Sequence, residues 1–258
     1  NNPFHNFRHG VTVCHGGYYF LKKINSLAGA LSITTKYAFL IACLSHDLDH
    51  TGKNNQFEIA SRSSLALRYF EVSPLEHHHA AILLKILSNK ECNLFANCEE
   101  KAWIEMKEII LECILATDMR VHFPLLAEFK QKFSGSAELY TEGDLKETLK
   151  VAIHVADLTG ASQPHDISLR WSLLLSKEFT EQLAEERRLG LPETPHFVSL
   201  GTEEGFLGSE LYFVEKILIP LFETFNEFSS GAIECSVNYI VENKEKMQAK
   251  LDAIKSNK

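Results

Sequence analysis

Apolar positions along this chain recur at intervals of three and four, and nowhere do apolar and polar residues alternate long enough for a confident strand. Residues 7–24 read as a loosely amphipathic helix, with Val11, Val13, Tyr18, Tyr19 and Leu21 as its apolar positions. Residues 34–49 read as a buried helix, apolar nearly all round. A shorter amphipathic helix is expected over 55–70, and Pro74 opens another that runs through Leu87. Residues 101–117 repeat Ile104, Ile109, Ile110 and Ile114 at helical spacing. The same pattern covers 122–133, 145–158, 167–188, 211–228 and 234–254. Residues 190–208, with Pro192, Pro195, Gly201 and Gly205, form the one long irregular stretch. With no repeat, low-complexity tract or linker, the expectation is an all-α, compact multi-helix bundle in which residues 1–258 form a single domain.

Composition narrows this picture. A chain of 258 residues with 45% hydrophobic and 23% charged residues can bury a sizeable core and is not disordered. The net charge of -8 argues against a nucleic-acid backbone as partner, but not against a small phosphorylated ligand held through metals. The six cysteines form no C-x-x-C pair and read as reduced thiols of an intracellular, cytoplasmic protein. The longest apolar run, 37–44, is far too short for direct membrane insertion. The N-terminus is polar and carries His5 and His9, unlike a signal peptide. What stands out is the histidine count of 12, because histidine is both a metal ligand and an acid–base group.

Four segments concentrate that chemistry. His5-Asn6-Phe7-Arg8-His9 sets two histidines four apart, on one face if helical, though a surface pair would look the same. His46-Asp47-Leu48-Asp49-His50 follows the apolar run directly, and ionisable groups at the end of a buried helix are costly unless paired or metal-bound. Glu76-His77-His78-His79 follows Pro74, where surface decoration is the plainer alternative. Asp157 ends the apolar stretch 151–158, where a helix-capping aspartate would be ordinary. Together they supply two His and two Asp from separate helices, enough to hold one divalent ion, and Asp47 has a second oxygen with which to bridge to another. Two such ions point to phosphoester hydrolysis without naming the substrate.

These segments, with Asn54-Asn55-Gln56-Phe57, Leu115-Ala116-Thr117-Asp118-Met119, Ala156-Asp157-Leu158-Thr159, Arg170-Trp171 and Glu178-Phe179, resemble in order the catalytic domain of the class I cyclic nucleotide phosphodiesterases. The resemblance runs from residue 4 to about 243. It implies an all-helical, HD-type fold and hydrolysis of a 3′,5′-cyclic nucleotide to its 5′-monophosphate, ending cyclic nucleotide signalling. It implies His9, His46, Asp47 and Asp157 as ligands of a first metal, usually zinc, with Asp47 bridging to a second, usually magnesium or else manganese. His50, Glu76 and Thr117 match positions that orient metal-bound waters. A bridging hydroxide would attack phosphorus, His5 would protonate the departing O3′, and Glu76 would keep His5 cationic. Phe213 matches the aromatic that stacks on the purine and Leu175 the residue opposite, with Met119, Leu158, Phe179 and Asn55 as further substrate-binding positions.

The sequence departs from that pattern in places. Where the family has a purine-binding glutamine three residues before the stacking Phe, this chain has Glu210. An ionised glutamate only accepts hydrogen bonds, which suits the adenine amino group, so cAMP is favoured over cGMP; a protonated one would serve either base. Gly160 replaces a frequent Asn, and His77 replaces another with no evident effect. The family's first N-terminal helices are expected to be missing, and regulatory domains to lie outside these residues. The expected partner is a small cyclic nucleotide and no nucleic acid, with room for a homodimer. Two alternatives remain: an HD-type phosphohydrolase of another nucleotide, and a non-catalytic cyclic-nucleotide-binding module.

Overall fold

The computed structural model describes residues 2–133 and 141–257, and among them there is no strand. Fourteen α-helices follow one another: α1 (Phe7–Lys23), α2 (Asn25–Ala30), α3 (Ile33–Ser45), α4 (Asn55–Ala60), α5 (Ser64–Arg68), α6 (Pro74–Ser88), α7 (Glu100–Leu115), α8 (His122–Phe133), α9 (Glu142–Asp157), α10 (His165–Leu189), α11 (Pro195–Val198), α12 (Glu203–Phe213), α13 (Ile219–Phe228) and α14 (Glu234–Ser256). The all-α bundle expected from the periodicity is what forms. Its core is one cluster in which Phe39, Ile110, Ile153, Phe222 and Phe225 are fully buried. No helix among the described residues is long and apolar enough to cross a membrane.

The differences from the sequence reading have local causes. The helix expected over 34–49 stops at Ser45, whose Oγ donates back to the carbonyl of Ile41 (2.5 Å). Residues 46–50 leave it in turns, and Asp49 takes a left-handed conformation (φ 60°). The helix expected over 55–70 is two short ones, broken where Arg62 has φ 52°. The irregular stretch 190–208 contains α11 and a 3₁₀ turn (Ser199–Gly201), and α12 already starts at Glu203. Between α12 and α13 the helix widens to π geometry over Val214–Leu218, just before Pro220, a residue with no N–H to give and a ring that crowds the preceding turn.

One packing detail positions the site. The helices α1, α7, α6 and α9 surround α3, the apolar-all-round helix. A Cβ on Gly10 would stand 2.8 Å from the carbonyl oxygen of Leu44, and one on Gly17 would stand 2.8 Å from Cys43 Sγ. The two glycines on α1 therefore let its backbone approach α3 more closely than a side chain would allow. That approach brings His9 to His46.

Candidate active site

Asn6 sets the first piece. It is the N-cap of α1, its Oδ1 accepting from the N–H groups of Arg8 (2.9 Å) and His9 (3.4 Å). His5 and His9 therefore do not share a helix: His5 precedes the cap and His9 lies in the first turn. His46 and Asp47 lie in the turn that directly follows α3, and Asp157 is the last residue of α9.

These four residues converge, one ligand atom from each lying within 4.8 Å of all the others. His9 Nε2 is 3.3 Å from His46 Nε2 and 2.9 Å from Asp157 Oδ1. His46 Nε2 is 3.1 Å from both Asp157 Oδ1 and Asp47 Oδ2. The far nitrogen of His46, Nδ1, points its proton at the carbonyl of Cys43 (2.9 Å), which turns the Nε2 lone pair into the cluster.

Two observations show that the set fits a divalent ion. Asp47 Oδ2 is buried with no hydrogen-bond partner, though a carboxylate oxygen in that state is costly. And the pocket draws positive charge: burial opposes an imidazolium at His46, yet Asp47 and Asp157 hold its pKa well above the ordinary value. Burial likewise opposes the charged forms of Asp47 and Asp157, yet the two histidines, His46 foremost, keep both carboxyls below the usual range. Two imidazole nitrogens and two carboxylate oxygens form a donor set suited to zinc and similar ions.

A second layer surrounds the cluster. The rings of His5 and His50 stack at 4.0 Å, and those of His50 and His79 at 5.4 Å. His50 Nδ1 accepts from Gly52 N–H (3.0 Å), so the proton of the neutral ring sits on Nε2. Burial and the neighbouring His5 keep His50 well below the ordinary histidine pKa. His79 donates from Nδ1 to Leu48 O (2.7 Å), and its Nε2 lies 3.8 Å from Asp47 Oδ1. Burial holds its pKa down to about 4.

The carboxylate that serves His5 is Glu178 on α10, which corrects the expectation of Glu76. Glu178 Oε1 meets His5 Nδ1, while Oε2 accepts from the N–H groups of Phe4 (2.9 Å) and His5 (3.1 Å). His5 Nε2 keeps no hydrogen-bond partner among the described residues. Glu76 instead accepts both donors it meets from Asn55 Nδ2 (3.1 and 2.9 Å), and Asn55 Oδ1 accepts from Leu75 N–H (3.0 Å). Burial, helped by Asp118, pushes Glu76 up to about 7. Thr117 donates its hydroxyl to Ile114 O (2.8 Å), back into α7.

The apolar side of the site lies on α10 and α12. Trp171 packs edge-on against Phe4 (5.5 Å) and His9 (6.2 Å), and at 3.6 residues per turn Leu175 and Glu178 follow on the same side. Ser172, Leu175 and Phe179 also share a face, and the ring of Phe179 stacks on Phe197 (4.2 Å). Ser172 meets Glu210 Oε2 at 2.5 Å, which brings α12 alongside, with Phe213 one turn on from Glu210. Burial raises the pKa of Glu210, against the pull of Ser172. Leu158 follows Asp157 directly and is half-buried, and Met119 is 43% exposed on a 3₁₀ turn.

Sequence reasoning missed the roles of Glu178, His79 and Trp171. Glu178 is 173 residues from its partner, with no local pattern to join them. His79 had a signal, being three after Glu76 and so on the same side of α6.

A profile of the 3′5′-cyclic nucleotide phosphodiesterase family matches residues 4–240. The chain is 36% identical over 225 residues to a Drosophila melanogaster protein named high affinity cGMP-specific 3′,5′-cyclic phosphodiesterase 9A, an alignment covering 87% of this chain and 14% of that one. It is 31% identical over 260 residues to the Drosophila melanogaster 3′,5′-cyclic-AMP phosphodiesterase, isoform F, covering 96% of this chain and 38% of that one. It therefore spans well under half the length of these curated relatives. Among solved structures, the phosphodiesterase domain of the RhoPDE fusion protein from the choanoflagellate Salpingoeca rosetta superposes with a TM-score of 0.93 at 32% identity, covering 99% of this chain and 80% of that one.

Proposed function

This chain belongs to the 3′5′-cyclic nucleotide phosphodiesterase family, and from that premise we propose that it hydrolyses a 3′,5′-cyclic nucleotide to the 5′-monophosphate. The observation that carries this reading is the convergence of His9, His46, Asp47 and Asp157 beside a histidine that is itself held by a carboxylate. Those four residues would hold the first of two divalent ions, zinc, and Asp47 would also contribute to a second, magnesium or manganese. Bound there, the ions polarise the phosphoryl oxygens and lower the pKa of bound water.

The chain's own residues supply the rest. The oxygen of a water that has given up a proton bonds to phosphorus as the P–O3′ bond breaks, and O3′ leaves as an alkoxide unless it is protonated. His5 Nε2 gives that proton, while Glu178 engages Nδ1 and fixes the direction of the ring. His50 and His79, both kept neutral, offer ring nitrogens to water near Asp47. Glu76, fixed by Asn55, is a carboxyl poised to exchange a proton near neutral pH. The base lies between Phe213 and Leu175, a clamp that gives affinity with little selectivity.

Selectivity falls to Glu210. With Ser172 on Oε2, an ionised Glu210 has Oε1 left to accept from the amino group of adenine. This favours cAMP. The test is turnover of cAMP and cGMP side by side, with Mg²⁺ and after chelation. Metal-dependent release of the 5′-monophosphate, faster from cAMP, is expected. No turnover of either nucleotide with both metals bound would refute the reading and favour a binding module. Equal rates would point to a protonated Glu210.

A further inference from the structure

A groove of about 350 Å³ runs between α10, α12 and α14 and shares no lining residue with the proposed active site. That volume lies at the small end of the range for ligand pockets and is far from a protein-sized interface. Its floor is apolar, with Leu169 and Leu173 from α10, Phe206 from α12 and Met247 from α14. Leu173 is 52% exposed there, although Phe206 and Met247 beside it are buried. Leu169, Leu173 and Ser176 lie on the side of α10 away from Trp171, Leu175 and Glu178, so one helix separates the groove from the phosphoester chemistry.

The charged residues lining the groove are Lys246, Lys250 and Glu203, a net positive rim in a chain of net charge -8. Lys246 and Lys250 stand one turn apart on α14 and both line the groove. Lys250 is paired with Glu203 (2.6 Å), whereas Lys246 has no ion pair among the described residues. The N-terminus of α10 opens at the same mouth, where His165 lines the groove and the cap residue, Pro164, offers no side chain to the first N–H groups. An apolar floor under one unneutralised cation calls for a ligand with an apolar body and a single negative head.

We propose that this groove is a second ligand site, for a free small-molecule amphipathic monocarboxylate with a body of about ten carbons. The floor buries the hydrocarbon, the head pairs with Lys246, and the methylene stems of Lys246 and Lys250 close over the chain. A protein partner would need far more apolar surface than this groove presents.

The test is calorimetric titration of the whole chain with decanoate below its micellar range, beside decanol and acetate. It reads binding alone, so its outcome is independent of whether the chain turns over a cyclic nucleotide. One decanoate per chain should bind saturably, with decanol and acetate each at least about tenfold weaker because each lacks one half of the recognition. Leu173→Asp and Lys246→Glu should each weaken decanoate by about tenfold or more and leave turnover and far-UV circular dichroism unchanged. If Leu173→Asp disturbs the fold, Lys246→Ala supplies the same comparison. Non-saturable decanoate binding, equal affinity for decanol, or undiminished affinity in the lysine variants would overturn the proposal.

Discussion

Two pairs of histidines touch inside this protein, and their surroundings give them opposite properties. His9 and His46 approach to 3.3 Å, and His122 and His154 to 2.9 Å; all four are almost fully buried. Around the first pair two carboxylates converge, so both imidazoles hold protons more tightly than usual despite burial. Around the second no carboxylate among the described residues makes contact. Burial pushes His154 down to about 4, with Asp157 too remote to reverse it, and His122 is lowered by burial as well. Their outer nitrogens, His122 Nε2 and His154 Nδ1, are buried without hydrogen-bond partners. Burial and histidine contact are common to both pairs. Only the arrival of Asp47 from the turn after α3 and Asp157 from α9 makes one of them a place for a cation.

The sharpest test removes that difference. Asp157→Ala deletes a carboxylate from the first pair, and turnover should fall by more than the roughly 10²–10⁴-fold of a lost proton donor. Bound divalent metal, measured by atomic absorption, should fall with it. Wild-type metal content in Asp157→Ala would mean that His9, His46 and Asp47 suffice without it and that the comparison misleads.

His5→Ala is expected to cost about 10²–10⁴-fold in kcat with both metals retained, since the role proposed for His5 is proton donation and it is not one of the four-residue cluster. Glu178→Gln keeps the shape but removes the charge facing Nδ1, and should cost about 10–100-fold, the usual range for a partner that orients a working group. An emptied metal site in His5→Ala would reassign His5 from acid to ligand.

The second pair makes a prediction about stability. The folded state holds His154 neutral down to about pH 4, whereas the unfolded chain protonates it near 6.5. Between those values the unfolded state binds more protons, so stability rises with pH across the window and is lost as pH falls from 6.5 towards 4. The shift corresponds to about 3 kcal/mol. Urea unfolding of wild type and His154→Leu, compared at pH 7 and pH 4.5, should show the variant losing less stability on acidification. Parallel losses would place the acid sensitivity elsewhere, for instance at His79, which burial also holds at about 4.

The helical periodicity made the bundle legible because most apolar positions do face one core, and α8 runs over the residues expected of it. Helix ends were legible only where side chains mark them. Asn6 caps α1 and so separates His5 from His9, but the turns that follow α3, with Asp49 left-handed, are announced by no apolar pattern. The cluster residues were legible from their motifs, because a buried His-Asp run at a helix end has few inexpensive explanations. Glu178 was not, since its pairing with His5 arises only when α10 folds back over the start of α1. His122 and His154 show the converse: buried histidines that sequence alone cannot tell from ligands.

The smallest expected effect concerns Glu210, a half-buried ionisable group with no ion pair to a cation or histidine among the described residues. Its side chain is hydrogen-bonded to Ser172 alone among the described residues, and burial raises its pKa. If it is ionised when cAMP binds, Oε1 accepts from the adenine amino group but faces a ring nitrogen that also accepts, so part of the interaction is repulsive. Glu210→Gln replaces that repulsion with an amide that can donate to one and accept from the other. KM for cAMP should then fall by a few-fold, and KM for cGMP should fall more, because the amide can reverse its donor and acceptor ends for guanine; net gains of this kind are about 1 kcal/mol. The selectivity ratio is thus expected to narrow while kcat stays near wild type, since Glu210 touches neither phosphorus nor the proton donor. Ser172→Ala separates the two protonation states: loss of the hydroxyl removes a donor that favours the carboxylate, and should move the variant towards equal use of both nucleotides. Unchanged constants for both nucleotides in both variants would place Glu210 outside the base-binding surface and leave selectivity to the apolar clamp.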